Sequence, residues 1–182
     1  MKRKTGQLRT NDLIYIALMA ALMAVCSWIS IPATVEFTMQ TFAVFAAMGL
    51  LGGRRALIAV AVYLLMGAVG LPVFAGFTGG PSALLGSTGG YLVGFAAMAL
   101  VYWLMTALLG EGRGVRVAAM VAGLIVCYAF GTAWFVVVYA RQAEAIGWMT
   151  ALGWCVFPFI IPDIIKMALA LALTDRLATH LK

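Results

Sequence analysis

Two ionisable residues stand inside the last apolar stretch of the chain, in the run Pro162-Asp163-Ile164-Ile165-Lys166. Residues three apart share one face of a helix, so Asp163 and Lys166 are predicted to lie side by side. An ionisable residue inside a membrane span costs about 2.5–3.5 kcal/mol on insertion scales, so both charges need compensation. Two interpretations stay open. The pair satisfies itself or reaches the interface, or it is a ligand site in which Lys166 and helix-terminal amides hold an anion while Asp163 accepts hydrogen bonds from a neutral group.

A second set of candidates lies in the segment from Val73 to Gly90, in which Thr-Gly-Gly occurs twice, at residues 78–80 and 88–90. No Gly-Lys-Ser/Thr follows, so the segment is not a Walker phosphate loop. Its glycines permit tight turns and a close approach of the backbone to a ligand, and its Phe and Leu residues predict that it folds back over the protein. The alternative is an ordinary long loop with turn glycines. Further plausible pocket or interface residues are Glu36, Gln40, Trp134 and Trp148.

The residue types of this sequence give little support to a catalytic function. The run Gly86-Ser87-Thr88-Gly89 loosely resembles an intramembrane serine protease, but the single histidine, His180, is predicted on the other side of the membrane, so Ser87 has no base. One histidine and three scattered cysteines, Cys26, Cys127 and Cys155, give no zinc or haem ligand set. Without a Walker motif the chain cannot hydrolyse ATP itself. We therefore expect a protein that is not an enzyme, with no catalytic residue, metal or cofactor.

The elements that must position these residues are apolar helices. Of the 182 residues, 65% are apolar and 10% charged, whereas a soluble domain has about 45–50% apolar and about 25% charged residues. This balance excludes ordinary soluble, disordered, fibrous and nucleic-acid-binding proteins and predicts a polytopic membrane protein. At about 20 residues per span, the length accommodates five to seven spans and no separate soluble domain.

The apolar runs predict an all-α fold with six transmembrane helices, and residues 1–182 form a single transmembrane domain. The predicted spans are about 13–31, 37–51, 56–71, 91–109, 117–139 and 162–180. The first run is longer than a signal-peptide core and more spans follow it, so we expect it to be retained.

The region 148–173 allows two interpretations, one kinked helix or a break. The break is favoured at Pro162, because proline suits the first helical position and Asp163 beside it suits the N-terminal dipole. Residues 142–161 then form a partly helical cap on the outer side.

The positions of Lys and Arg predict the orientation. Ten of the twelve fall in the termini and loops of one face, Arg141 falls on the other face, and Lys166 lies within a span. Because basic loops stay in the cytoplasm, both termini are expected inside, and the Val73–Gly90 segment is expected outside together with residues 32–36 and 141–161. The net charge of +6 is then explained by topology rather than by an acidic partner.

The first span also carries small residues four apart, Ala17 with Ala21 and Ala20 with Ala24. Such pairs let helices approach closely in lipid, either between proteins or within one chain. By themselves they do not distinguish these two uses.

Together these features resemble the BioY family, the biotin-specific substrate-binding S components of energy-coupling factor (ECF) transporters. The resemblance covers nearly the whole chain. It rests on the length, the six spans, the Ala17/Ala21 pair, the run Gly-Ser-Thr-Gly-Gly-Tyr at 86–91 and the run Pro-Asp-Ile-Ile-Lys at 162–166. It implies a six-helix S-component bundle in the cell membrane that captures biotin with high affinity from outside. It also implies two kinds of partner, a transmembrane coupling subunit and two cytoplasmic ATPase subunits.

The resemblance further implies roles for individual residues. The coupling subunit would contact Ala17, Ala20, Ala21 and Ala24. The ligand would contact Gln40, Thr78, Gly79, Ser87, Tyr91, Asp163 and Lys166. We expect the carboxylate of biotin at Lys166 and the helix terminus, the ureido ring at Asp163 and Thr78, and the apolar ring at Tyr91. Some relatives carry Arg or Asn in the outer segment, whereas this chain has no Arg between Arg55 and Arg113, which leaves more of the anion binding to Lys166.

Two other functions remain open. An S component for another vitamin would share the fold and differ at the ligand site. A stand-alone secondary transporter would need an ion or proton relay, for which Asp163 is the one acidic candidate inside a predicted span and no inverted repeat is evident.

Overall fold

The computed structural model describes residues 8–32, 35–142 and 146–180. The chain is mostly helical, as predicted. Its helices are α1 (Thr10–Trp28), α2 (Gln40–Leu51), α3 (Gly53–Ala68), α4 (Pro81–Leu85), α5 (Gly89–Leu109), α6 (Arg113–Gln142), α7 (Trp148–Cys155) and α8 (Phe157–His180). Between α1 and α2 a two-residue antiparallel ribbon pairs β1 (Ser30–Ile31) with β2 (Phe37–Thr38). The predicted basic residues Lys2, Arg3, Lys4 and Lys182, and parts of the outer loops at 33–34 and 143–145, lie outside the described residues.

Four helical stretches within the described ranges are long and apolar enough to cross a membrane, namely α1, α5, α6 and the stretch from α7 into α8. The other two predicted spans correspond to shorter helices, α2 with 12 residues and α3 with 16. Helix α2 is enclosed by its neighbours α1, α3 and α8, so that residues 43–48 are at most 1% exposed. An apolar sequence with no polar face suits such a central position.

Glycines set the closest helix contacts. Gly52 has φ +77°, a left-handed conformation that ends α2 and lets α3 begin at the next residue. Between α5 and α6, a Cβ atom on Gly90 would lie 2.3 Å from the Cβ of Trp134, and one on Gly131 would lie 2.2 Å from the ring of Tyr91. These two helices can therefore pack at this distance only because both positions lack a side chain.

The long helices alternate in direction, which gives the bundle two distinct ends. At the end that we call the cavity end, α1, α3 and α6 finish while α2, α5 and α8 begin. At the opposite, basic end, Arg55 pairs with Asp12 at 3.2 Å, and Arg113 and Arg116 lie 3.2 and 3.5 Å from Asp175. The fold thus separates most of the described arginines from the cavity.

The predicted start of the last helix is wrong. Helix α8 begins at Phe157, so Pro162 is its sixth residue and Asp163 its seventh. The chain breaks earlier, at Val156, which has φ −124° and ψ −57° and separates α7 from α8. The residues before Pro162 are helical although most of them are exposed, and only Phe159 among them lines the cavity; the local preference of proline for a first turn therefore does not decide where this helix begins. Asp163 therefore lies inside α8, beyond the free amides at the start of that helix.

Candidate ligand-binding site

A cavity of about 710 Å³ opens at the cavity end of the bundle. Its walls come from the beginnings of α2, α5 and α8, the middle of α6, the end of α7, residues 35–38 around β2, and the segment 73–88. The volume falls within the range of about 300–1,000 Å³ that is usual for sites of small molecules. The structure brings all seven predicted ligand residues to this cavity: Gln40, Thr78, Gly79, Ser87, Tyr91, Asp163 and Lys166.

The ammonium group of Lys166 is fully hydrogen-bonded inside the protein. Its Nζ donates to Asp163 Oδ1 at 2.9 Å, to Thr41 Oγ1 at 3.1 Å and to the carbonyl of Thr38 at 2.7 Å. It also lies 4.2 Å from the ring centroid of Phe37, which adds a cation–π contact. An ammonium has three protons, and each has an acceptor here. The geometry therefore matches the interpretation in which the Asp163–Lys166 pair and its protein neighbours satisfy the hydrogen-bonding needs of this cation.

The acceptor sites of the Asp163 carboxylate are less completely occupied by hydrogen bonds within the protein. Its Oδ1 accepts from Lys166 and from the Thr41 hydroxyl at 2.8 Å, and its Oδ2 accepts from the Tyr128 hydroxyl at 2.6 Å. A carboxylate offers about four acceptor sites, so among the described residues one site on Oδ2 remains without a donor. The carboxylate is 1% exposed and lines the cavity, which makes that site suitable for a donor group of a ligand.

Three members of this cluster were not predicted from the sequence, namely Thr38, Thr41 and Tyr128. All three line the cavity. A weak signal was present for Tyr128, because it is a polar side chain within an apolar span and such residues usually face the protein interior. Thr38 takes part through its backbone carbonyl, which no residue type can reveal.

Gln40 lines the cavity, but its side chain is bonded to the protein. Its Oε1 accepts from the Thr38 hydroxyl at 2.9 Å, and its Nε2 donates to the hydroxyl of Tyr63. The residue is 5% exposed. Its geometry therefore indicates support of the cavity wall more than contact with a ligand.

The glycine-rich segment folds back against the bundle. The Phe74 N–H donates to the Thr78 carbonyl at 3.0 Å, and the turn between them contains two left-handed residues, Gly76 with φ +62° and Phe77 with φ +57°. Phe77 stacks on Trp28 of α1 with ring centroids 5.1 Å apart. This aromatic contact holds a strained turn in place at the rim of the cavity.

Two other features fix the segment at its glycines. A Cβ atom on Gly79 would lie 2.2 Å from the carbonyl oxygen of Leu71, so only glycine fits there. Trp134 of α6 donates from Nε1 to the Gly86 carbonyl at 2.9 Å. Ser87 follows directly and lines the cavity. The segment therefore has a defined conformation at both of its Thr-Gly-Gly repeats.

Apolar and aromatic side chains form the remaining wall. Tyr91 packs against Gly131 and its hydroxyl lies 2.8 Å from Thr132 Oγ1. The other members of this wall are Phe74, Leu92, Phe95, Leu124 and Phe159. Of the other proposed pocket residues, Glu36 lines the cavity and Trp148 is 59% exposed. The site thus combines a polar floor around Asp163 with an apolar wall.

The alanines of α1 separate into two groups. Ala20 and Ala24 are 1% and 5% exposed and pack inside the bundle, whereas Ala17 and Ala21 are exposed. Only the second pair is available to another molecule.

Comparison with known proteins adds to this geometry. The model of the BioY family matches residues 1–182. The chain belongs to the BioY family. The biotin transporter BioY of Thermotoga maritima is 42% identical over 172 residues, which cover 92% of this chain and 95% of that protein. The probable biotin transporter BioY of Pyrococcus horikoshii is 36% identical over 172 residues, covering 93% and 98%.

The fold of this BioY protein is also similar to a solved structure. The crystal structure of the S-component for biotin from an ECF-type ABC transporter matches with a TM-score of 0.82 and 25% identity, over 95% of each chain. BioY proteins are integral membrane components of transporters and not enzymes. The predicted family, the membrane location and the non-enzymatic class are therefore confirmed.

Proposed function

We propose that this BioY chain is a substrate-binding S component that captures biotin with high affinity from outside the cell membrane. Uptake would be energised by a transmembrane coupling subunit and two cytoplasmic ATPase subunits. The names of the relatives and the S-component fold support this function. The observation that carries it is the remaining acceptor site of Asp163 in a cavity that has both polar and apolar walls.

The chemistry of biotin fits this cavity group by group. Biotin has a ureido ring with N–H donors, an apolar thiophane ring and a carboxylate tail. We propose that a ureido N–H donates to Asp163 Oδ2, because that atom keeps an acceptor site, and that the thiophane ring packs against Tyr91 and Phe95. Binding the tail at Lys166 would require breaking one of three existing hydrogen bonds of the ammonium group.

This hydrogen bonding changes the expected placement of the tail. We propose that the carboxylate lies toward the segment 73–88, whose hydroxyl groups and backbone line the opposite wall. The hydroxyl residues of that wall are Thr78, Ser82, Ser87 and Thr88. Gly79 also lines this wall, where its lack of a side chain lets the segment pack against the Leu71 carbonyl.

The same proposal includes six crossing helices with both termini in the cytoplasm. Helices α2 and α3 are about 18 and 24 Å long at 1.5 Å per residue, shorter than a hydrocarbon core of about 30 Å. Their enclosure by longer helices would let them cross as part of the bundle. The arginines at the basic end support a position of that end on the cytoplasmic side, with the cavity facing outward.

Labelling in intact cells tests this orientation. A cysteine at Ser82, on the cavity end, is expected to react with a membrane-impermeant maleimide, whereas a cysteine at Gly112, on the basic end, reacts only after lysis. The three native cysteines are buried, which limits the background. The reverse pattern would overturn the orientation.

The function is tested with purified protein and a panel of vitamins. We expect biotin to raise the melting temperature and to give a calorimetric binding curve, while other vitamins give neither. Mass spectrometry of the ligand that co-purifies gives an independent answer. Stabilisation by a different vitamin would indicate another S component. Uptake that depends on a proton gradient without any ATPase would indicate a secondary transporter.

A further inference from the structure

A continuous chain of buried hydrogen bonds leads from the ion pair to the start of the segment on the opposite wall. Lys166 Nζ donates to the Thr38 carbonyl at 2.7 Å, and the Thr38 hydroxyl donates to Gln40 Oε1 at 2.9 Å. Gln40 Nε2 donates to the hydroxyl of Tyr63, which in turn donates to the Val73 carbonyl at 3.0 Å. The residues that form this series of hydrogen bonds are between 0% and 9% exposed.

Each end of this chain has a defined consequence. At one end, two of the three acceptors of Lys166 belong to the short stretch 38–41, whose conformation depends on the amide of Gln40. At the other end, Val73 begins the segment that lines the cavity, and its carbonyl also accepts from Ser27 of α1 at 2.7 Å. The amide of Gln40 and the hydroxyl of Tyr63 are the groups that join the two ends.

We propose that Gln40 and Tyr63 are positioning residues that couple the Asp163–Lys166 pair to the cavity-lining segment beginning at Val73. A ligand bound at the ion pair would thereby stabilise the cavity-lining segment that begins at Val73, and this segment would in turn slow the release of the ligand. This inference rests on the proposed function for its ligand, while the coupling itself is a property of the ligand-free protein. Gln40 contributes to this coupling through its hydrogen bonds to Thr38 and Tyr63, and not through contact with the ligand.

The chain offers a conservative way to break this coupling. The ring of Tyr63 packs edge-on against Phe74, with centroids 5.4 Å apart at 83°. Tyr63→Phe keeps that packing and removes only the hydroxyl that joins Gln40 to Val73. Tyr102→Phe is a matched control, because Tyr102 is also buried at 2% exposure but lies in α5 toward the basic end, away from the cavity lining.

The experiment measures biotin kinetics and deuterium exchange on the full-length protein. For Tyr63→Phe we expect dissociation to become about tenfold faster, because the variant loses the two buried hydrogen bonds of the Tyr63 hydroxyl, with association changed by less than about twofold. In the ligand-free protein, amides of both 38–41 and 73–80 should exchange faster than in wild type. Tyr102→Phe should show neither change.

A double-mutant cycle separates this coupling from independent packing effects. Because Gln40→Met and Tyr63→Phe break the same chain, the double variant should release biotin no faster than the more severe single variant. Additive effects would overturn the proposal, as would unchanged exchange at either stretch in both variants. If Tyr63→Phe does not fold, Gln40→Met provides the same two measurements.

The proposed function and this inference can fail separately. A wild-type protein that does not bind biotin contradicts the function, and the exchange of ligand-free variants still decides the coupling. A wild-type protein that binds biotin, together with variants whose release and exchange are unchanged, contradicts the coupling alone.

Discussion

The hydroxyl of Tyr128 on α6 donates a 2.6 Å hydrogen bond to Asp163 Oδ2 on α8, across the floor of the cavity. This contact directs the carboxylate toward the cavity while the other oxygen, Oδ1, stays with Lys166 and Thr41. A carboxylate with one oxygen in a salt bridge and the other partly free is both charged and accessible to a donor. The Tyr128–Asp163 pair is therefore the relationship on which ligand recognition is expected to depend.

Removing this hydroxyl should weaken binding without unfolding the protein. Tyr128→Phe is expected to reduce the affinity for biotin by about tenfold to a hundredfold, as for a hydrogen bond to a charged group, because Asp163 loses the donor that orients it. Isothermal titration calorimetry measures the change. Tyr139→Phe, on the same helix but away from the cavity lining, is the control and should bind as wild type. An unchanged affinity in Tyr128→Phe would exclude this orienting role.

Neutralising one member of the ion pair should be much more damaging than neutralising both. Asp163→Asn leaves the ammonium of Lys166 buried without a counter-ion, which costs about 3–5 kcal/mol of folding free energy. Adding Lys166→Met should restore most of the melting temperature, because the second charge is then removed as well.

The double variant then separates stability from recognition. We expect Asp163→Asn with Lys166→Met to fold and yet to lose biotin binding, because the ligand has no carboxylate to donate to. Calorimetry and thermal melts on the same samples test this. Wild-type affinity in a stable double variant would show that the pair has a purely structural role.

The placement of the ligand carboxylate can be tested with a ligand that lacks it. Lys166→Ala should weaken the binding of biotin by well over tenfold, because Asp163 loses the cation that holds its Oδ1 and no longer presents Oδ2 to the donor group of the ligand. If the tail lies at the segment 73–88, the same variant should weaken biotinamide by the same factor. A loss restricted to biotin would instead place the carboxylate on Lys166.

Much of this architecture was accessible from the sequence, and the reasons are physical. Apolar runs marked the helices, and spacing by three placed Asp163 beside Lys166, which the structure shows at 2.9 Å. The partners of that pair were not accessible, because Thr41 and Tyr128 lie 122 and 35 positions from Asp163 and meet it only through packing. Local preference also misplaced the start of the last helix at Pro162, because proline is compatible with a first turn without requiring one, and α8 extends back to Phe157.

The packing of α5 against α6 should control the shape of the aromatic wall. A Cβ on Gly131 would lie 2.2 Å from the Tyr91 ring, so Gly131→Ala must displace Tyr91 or separate the helices. Overpacking of this kind costs about 1–3 kcal/mol, and we expect both a lower melting temperature and weaker biotin binding. Gly112→Ala is the matched control, because a Cβ there meets nothing within 4 Å. Equal melting temperatures for the two variants would contradict the proposed close contact.

The exposed alanines of α1 allow partner binding to be tested apart from ligand binding. Ala17 and Ala21 are exposed, and they share a helix face because they are four residues apart. A large side chain there would prevent the close helix approach that small residues permit. Ala17→Trp is therefore expected to keep the biotin affinity of wild type and to lose co-purification with the coupling subunit.

Leu104→Trp provides the control for this loss, since Leu104 is 51% exposed on α5 and the variant places the same large side chain on a different helix of the bundle. It should assemble normally. Assembly of Ala17→Trp would exclude this face as the contact, whereas a loss of biotin binding in Ala17→Trp would mean that the α1 surface and the cavity are not independent. Ala20→Trp provides a comparison with a buried position of the same helix, because Ala20 is 1% exposed. This replacement should lower the stability of the protein itself, before any partner is added.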